Sequence, residues 1–204
     1  MPRPEGPVAR KRDYEIRPVE HRTGAQFIAA HHYARGASNT AVAMHGLFRR
    51  DTDELVGVAQ WLPPTKNVAA SVCTDWRGVL ALSRLAIAPS EPQNAASLLI
   101  GGSIRKLRRD SRWKCLVSYA DTGRGHDGRI YRATNWRDCG LVRGYPRWID
   151  PTTGRQVAKK ATHNRTYAEM EARGYRREPP APKRKFVFPL RDDCGKAPLR
   201  GVAR

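Results

Sequence analysis

The sequence predicts an α/β fold, a mixed central sheet with helices on its faces, from three observations. Apolar runs of strand length alternate with segments of helical periodicity. One run, Val79 to Ala88 (VLALSRLAIA), is nearly continuous apolar sequence, as a central strand covered on both faces requires. At 204 residues and 40% hydrophobic content, the chain can bury a sizeable core.

Residues 1–13 are rich in Pro and Arg and are expected to form a disordered basic tail. A single domain is expected over residues 14–190, with 191–204 as a second tail. Tyr14 to Arg17 reads as a first strand, and a helix is expected around Gly24 to His31. Ala41 to Arg50 and Glu54 to Trp61 read as a hairpin joined by a polar turn. Pro63-Pro64 stops the second strand, and residues 65–78 read as irregular. After the central strand, Pro89 to Pro92 breaks the chain. Asn94 is placed to cap a helix running to about Arg109, with Ala96, Ile100, Ile104 and Leu107 as its apolar stripe. Trp113 to Tyr119 is the next strand, Asp127 to Asn135 a short helix, and Leu141 to Arg143 the start of another strand. Thr152-Thr153-Gly154 reads as a hairpin turn between residues 147–149 and 155–158. Thr166 to Arg173 is a helix stopped by Gly174, and Lys185 to Leu190 is a last strand.

The chain carries 38 Lys+Arg against 19 Asp+Glu, a net charge of +19. A folded domain this basic points to nucleic acid. No basic amphipathic helix carries a Trp/Phe/Leu face, and no apolar run approaches ~18 residues, so no membrane partner is expected. The N-terminus has no apolar core of a signal peptide, and the expected location is the cytoplasm. Cys73, Cys115, Cys139 and Cys194 form no CxxC pair and are read as reduced thiols.

The richest chemistry lies in Val117 to Trp136, VSYADTGRGHDGRIYRATNW. A strand runs into Ser118, Tyr119 and Asp121, a Gly-rich turn brings His126, and a short helix carries Tyr131 and Trp136. Open α/β sheets keep their sites at this edge. Asp121 or His126 suits a proton acceptor and Tyr131 a donor; a plain turn at Asp121-Thr122-Gly123 is the alternative. Arg84 interrupts an apolar strand, which is costly unless its guanidinium is paired or solvated; it either reaches water or holds an anionic donor or phosphate. Ser83 beside it faces the other side of the sheet. Trp76, Trp136, Tyr145 and Trp148 interleave with Arg77, Arg132, Arg137, Arg143 and Arg147, which suits either a platform for an unstacked base or ordinary packing. Lys159, Lys160 and the basic residues after them suit phosphate contacts.

The element order matches the GNAT acyltransferase fold. More specifically, Leu82-Ser83-Arg84-Leu85, the Pro-x-Asn-x-x-Ser of Pro92 to Ser97, Ser118-Tyr119-Ala120-Asp121, Gly125-His126 and Ile130-Tyr131-x-Ala133-x-Asn135-Trp136 resemble the Mom family of phage DNA-modification proteins, diverged members of the GNAT superfamily. His31, His32 and Tyr33 fit that family's His-Tyr pair after the first helix. The resemblance spans residues 25–145. It implies conversion of the adenine N6 amino group in double-stranded DNA to a carbamoylmethyl form, which shields phage DNA from restriction in the bacterial host cell. It also implies catalytic roles for His32, Tyr33, Ser118, Tyr119, Asp121, His126 and Tyr131, and a donor site at Ser83, Arg84, Asn94 and Ser97.

Iron has been associated with the family, and His31, His32 and Asp121 are the residues it would use, although their spacing matches no metal motif. PQNAASLLIGG stands where GNAT enzymes carry a Gly-rich pyrophosphate loop and lacks its glycine pattern, which argues against coenzyme A. Glycyl-tRNA is therefore the favoured donor and acetyl-CoA the alternative. The rival functions are a conventional GNAT N-acetyltransferase and a non-enzymatic nucleic-acid-binding protein.

Overall fold

The computed structural model describes residues 8–144, 146–157, 159–162, 164–192 and 194. In chain order the elements are β1 (Tyr14–Pro18), α1 (His21–His31), β2 (Ala43–Arg49), β3 (Leu55–Leu62), α2 (Lys66–Ala70), β4 (Val79–Ile87), α3 (Ala95–Leu107), β5 (Cys115–Asp121) and α4 (Arg129–Arg132). β6 (Arg137–Val142), β7 (Arg147–Ile149), α5 (Lys159–Thr162), α6 (Tyr167–Ala172), β8 (Arg176–Glu178) and β9 (Lys183–Pro189) follow. Seven strands form one sheet in the order β1-β2-β3-β4-β5-β9-β6, antiparallel from β1 to β4 and parallel between β4 and β5. The expected mixed α/β architecture is present.

By packing, the chain divides into two compact units. The first comprises Met1–Ser118, Gly128–Cys139 and Phe186–Arg204; the second comprises Tyr119–Asp127 and Gly140–Lys185. Among the described residues no helix is long and apolar enough to cross a membrane.

In the first unit β3 is central, and every residue from Val56 to Trp61 is buried. That is why its sequence shows no polar alternation. One face meets α1, where Ile28 packs with Met44, Val58 and Ala86. The other meets α3 through Leu99, Ile100, Ile104 and Leu107. The buried face of α3 thus includes Ala95 and Leu99 as well as most of the expected stripe. Gly102 lets β1 approach α3: a Cβ there would lie 2.1 Å from Ile16 Cδ1.

A polar triad sits inside this core. The Trp61 indole N–H donates to Ser103 Oγ at 2.7 Å, and that hydroxyl is paired with His45 Nδ1. His45 is buried, and burial, reinforced by the Lys106 charge, pushes its pKa down to about 4. At the end of β1, the Glu91 carboxylate is paired with Arg49 and accepts from the Tyr14 hydroxyl. Burial and the Glu91 bond raise the Tyr14 pKa to about 12.

In the second unit β7 pairs with β8, Trp148 opposite Arg177. The expected hairpin across Thr152–Gly154 is present: Asp150 N–H donates to the Arg155 carbonyl at 2.9 Å, Val157 N–H to the Trp148 carbonyl at 2.8 Å, and Ile149 bridges to Gln156. The β8 strand, invisible in the sequence pattern, pairs with the other edge of β7. α6 starts with a capping box between Thr166 and Glu169 and ends before Gly174, whose φ is 77°.

The four cysteines are not all thiols: Cys115 and Cys194 form a disulfide, and Cys73 and Cys139 remain thiols. The reason is local. Leu190 and Arg191 N–H both donate to the Lys114 carbonyl, which brings the chain after β9 beside the start of β5.

Three outcomes are expected. Alkylation of unfolded, unreduced protein should label Cys73 and Cys139 alone, and labelling of all four would refute the disulfide. His45 stays neutral in the fold while the unfolded chain takes up a proton. Stability is thus complete above its ordinary pKa of 6.5 and is lost as the pH falls towards 4, with a slope of up to about 1.4 kcal/mol per pH unit. Urea titrations over that window should show a shallower slope for His45→Gln than for the parent. Gly102→Val should cost about 1–3 kcal/mol through overpacking against Ile16, read from the same titrations at neutral pH.

Candidate active site

β4 and β5 pair over three residues only, Val79 with Cys115 through Ala81 with Val117. The next carbonyl, Leu82, lies inside the core and needs a donor. Ser118 supplies it: its hydroxyl donates to Leu82 O at 3.1 Å. The Ser118 proton is then committed, so the Tyr131 hydroxyl, 2.8 Å away, donates to Ser118 Oγ. Tyr131 is on α4, and burial pushes its pKa up, opposed by the Ser118 bond and aided by the nearby Tyr33 hydroxyl. Its phenol stays protonated near neutrality and acts as a donor.

Aromatic rings hold this tyrosine. Phe186 stacks on Tyr131 at 4.8 Å and Trp136 meets it edge-on at 5.3 Å. Trp136 also stacks on Trp61 at 6.4 Å and is only 4% exposed. It is therefore core, not the exposed base platform that its arginine-rich setting suggested. Its indole N–H is buried without an acceptor among the described residues.

Facing α1, β4 carries a bulge. Gln60 pairs with Arg84 and Trp61 with Leu82, so Ser83 is the extra residue. Ser83 donates to the Gln60 side chain at 3.1 Å. The Gln60 carboxamide also reads the backbone of Ser38, accepting from its N–H at 3.1 Å and donating to its carbonyl at 2.9 Å. Arg84 donates to the Gly36 carbonyl at 2.9 Å and to the Ser83 carbonyl at 2.7 Å. The guanidinium expected to hold an anion is spent in part on this loop. Together these bonds fix the segment that follows His32 and Tyr33.

His31 ends α1 with its ring 4.4 Å from Phe27. The His32 backbone N–H caps the helix at Ile28 O, and His32 Nδ1 accepts from Ala34 N–H at 3.1 Å. That bond favours the tautomer with its proton on Nε2. Tyr33 stacks beside His32 at 4.3 Å and is 52% exposed.

Asn94 does not cap α3 with its side chain. Its carboxamide pairs with both backbone groups of Ala9, each at 2.8 Å. Ser97 donates back to the Asn94 carbonyl at 2.9 Å. Both expected donor-site residues are thus engaged locally.

In the second unit, Tyr119 lies on β5, half-buried, and His126 is exposed, with its N–H on the Asp121 carbonyl at 3.2 Å. Among the described residues Asp121 Oδ1 is buried without a hydrogen-bond donor, and it lies 4.0 Å from Arg147. Arg147 therefore faces a carboxylate, and Trp148 is buried against Tyr167, so neither offers the open nucleic-acid contact expected of it. Arg143 is exposed, and the Lys159 and Lys160 side chains fall outside the described residues, as does Tyr145. In the first unit Arg137 is exposed and Arg132 lies 3.6 Å from Asp138.

The iron expectation for His31, His32 and Asp121 finds no fit. Among the described residues no three His, Cys, Asp or Glu side chains gather to hold an ion. Sequence reasoning also missed Gln60, Ser38 and His45. A single polar residue inside an apolar strand was the available signal for Gln60 and His45.

The sequence profile of the Mom protein family matches residues 13–190. The chain belongs to that family. It is also similar to the methylcarbamoylase mom of Escherichia phage Mu, 30% identical over 115 residues, covering 53% of this chain and 46% of the phage protein. The chain therefore spans under half of that relative's length. Among solved structures it is similar to Arabidopsis thaliana NAA60 in complex with acetyl-CoA (TM-score 0.56, 10% identity, 86% of this chain and 99% of that one). It also resembles a GNAT family acetyltransferase from Elizabethkingia anophelis with acetyl-CoA bound (TM-score 0.51, 12% identity, 87% and 98%). These likenesses establish the GNAT fold for a Mom family chain.

Ser118→Ala should destabilise the fold by about 1–3 kcal/mol, because it strands the Leu82 carbonyl and the Tyr131 hydroxyl. In a double-mutant cycle by urea unfolding, Tyr131→Phe should cost less on that background than alone. Strictly additive effects would contradict the relay.

Proposed function

We propose that this Mom family member is a DNA-modifying transferase that converts the adenine N6 amino group to a carbamoylmethyl amine, protecting the DNA from restriction. Family membership supports the substrate class. The observation that carries the chemistry is the buried Asp121 oxygen, which has no hydrogen-bond donor among the described residues and lies on the same strand as Ser118. Its lone pairs are open to a substrate proton, whereas His32 Nδ1 is engaged by Ala34 and Tyr131 is held as a phenol.

The N6 lone pair is delocalised into the purine and the amine is paired within the duplex, so the base must be flipped out to react. Asp121 accepts a proton from N6 as it attacks the carbonyl of a glycyl ester carried on tRNA, and the tRNA 3′ oxygen leaves with a proton. The free glycine amine then attacks adenine C6, closing a five-membered ring. The original C6–N6 bond breaks, and N6 departs as the carboxamide nitrogen. The product carries the glycine nitrogen on C6, and no oxidant or reductant is consumed. Simple acetyl transfer from acetyl-CoA would leave an amide instead.

Mass spectrometry of nucleosides from plasmid DNA, after expression of this chain in bacteria, should show a deoxyadenosine enlarged by the carbamoylmethyl group. Asp121→Asn should reduce it roughly 100- to 10,000-fold, the usual worth of a positioned base. An acetylated nucleoside would refute the glycyl route, and unmodified DNA alongside soluble protein would refute the function.

A further inference from the structure

A second feature of the first unit has no part in this chemistry. A cavity of about 270 Å³ lies between the edge strand β1 and α3. Leu98, Gly102, Arg105 and Lys106 line it from α3, at spacings that put them on one helical face, and Arg109 lines it from the turn after the helix. Ile16 forms an apolar floor, brought close by the missing side chain of Gly102. Lys11 and Arg50 reach in from the chain before β1 and the end of β2, and Glu15 is the one carboxylate in the lining.

A helix C-terminus favours cations, which accounts for Arg105 and Lys106 by themselves. It does not account for Lys11 and Arg50, which come from other elements to the same cavity. Among the described residues, Lys11, Arg105, Lys106 and Arg109 have no acidic partner, while Arg50 lies 4.0 Å from Glu15. Glu15 is further shared with Arg17 at 3.8 Å. Four or five like charges around one concavity repel one another unless a counter-charge arrives. A single phosphate cannot neutralise them; a run of phosphates can.

We infer that the cavity between β1 and α3, lined by Lys11, Arg50, Arg105, Lys106 and Arg109, docks the phosphodiester backbone of duplex DNA away from the reacting base. The inference rests on DNA being the substrate proposed above. The contacts add affinity without reading sequence, and their strength falls with salt through counterion release.

The test is fluorescence anisotropy of a labelled duplex titrated with full-length protein at several salt concentrations. Arg105→Ala/Lys106→Ala/Arg109→Ala should weaken duplex binding roughly tenfold at physiological salt and make the log–log salt slope shallower by about 2.7. Arg105→Lys/Arg109→Lys should keep both. Lys11→Glu, on a different and exposed segment, should weaken binding in the same direction, which covers the case of a misfolded triple variant. Unchanged affinity and slope in the triple variant and in Lys11→Glu would overturn the docking site, as would a loss greater on an RNA hairpin than on the duplex. Nucleoside analysis run alongside separates the two failures. Parent protein that modifies plasmid DNA while the variants bind normally removes only the docking site. Parent protein that neither binds nor modifies DNA removes the function as well.

Discussion

A buried carbonyl must find a donor, and much of the first unit follows from that requirement. Where the β4–β5 ladder stops, side chains take over from backbone amides. Ser118 serves Leu82, and its own oxygen then draws in the Tyr131 hydroxyl. At the bulge on β4, Gln60 and Arg84 do the same for Ser38 and Gly36. The polar residues marking this region are thus structural substitutes for a missing ladder. They also fix α4 and the loop after α1, which carry Tyr131, His32 and Tyr33. Opening the sheet and holding the candidate site are one event.

The fold was legible where burial on both faces suppresses polar alternation. β3, β4 and α3 announce themselves as apolar runs or stripes, and the breaks at Pro63-Pro64 and Pro89 to Pro92 bound them. The β8 strand was not legible, because RRE carries no apolar signal and forms only by pairing with β7. The disulfide was hidden for another reason. Its cysteines are 79 residues apart, and only the return of the chain from β9 to Lys114 unites them.

The candidate site was legible as composition and less so as geometry. Ser118 and Tyr131 were marked by a strand running into a polar loop, and the structure joins them. Trp136 stood open between base platform and packing because an aromatic among arginines looks alike whether it faces solvent or core; its neighbours Trp61 and Phe188 come from distant strands. Arg84 was read as reaching water or holding an anion, since nothing in the sequence shows that the Gly36 carbonyl crosses its path. Long-range partners, in each case, decide what a local pattern leaves open.

The Cys115–Cys194 bond also makes the chain a lariat. The closed ring of backbone contains every residue of the second unit, from Tyr119 to Lys185, while both ends of the ring are knotted at the start of β5. For a ring of this size, with a separation of 79 residues, the chain-entropy model assigns about 4.5 kcal/mol to closure. The second unit can therefore lose its internal order without its ends drifting away. Its search for the folded state begins from a loop already drawn shut.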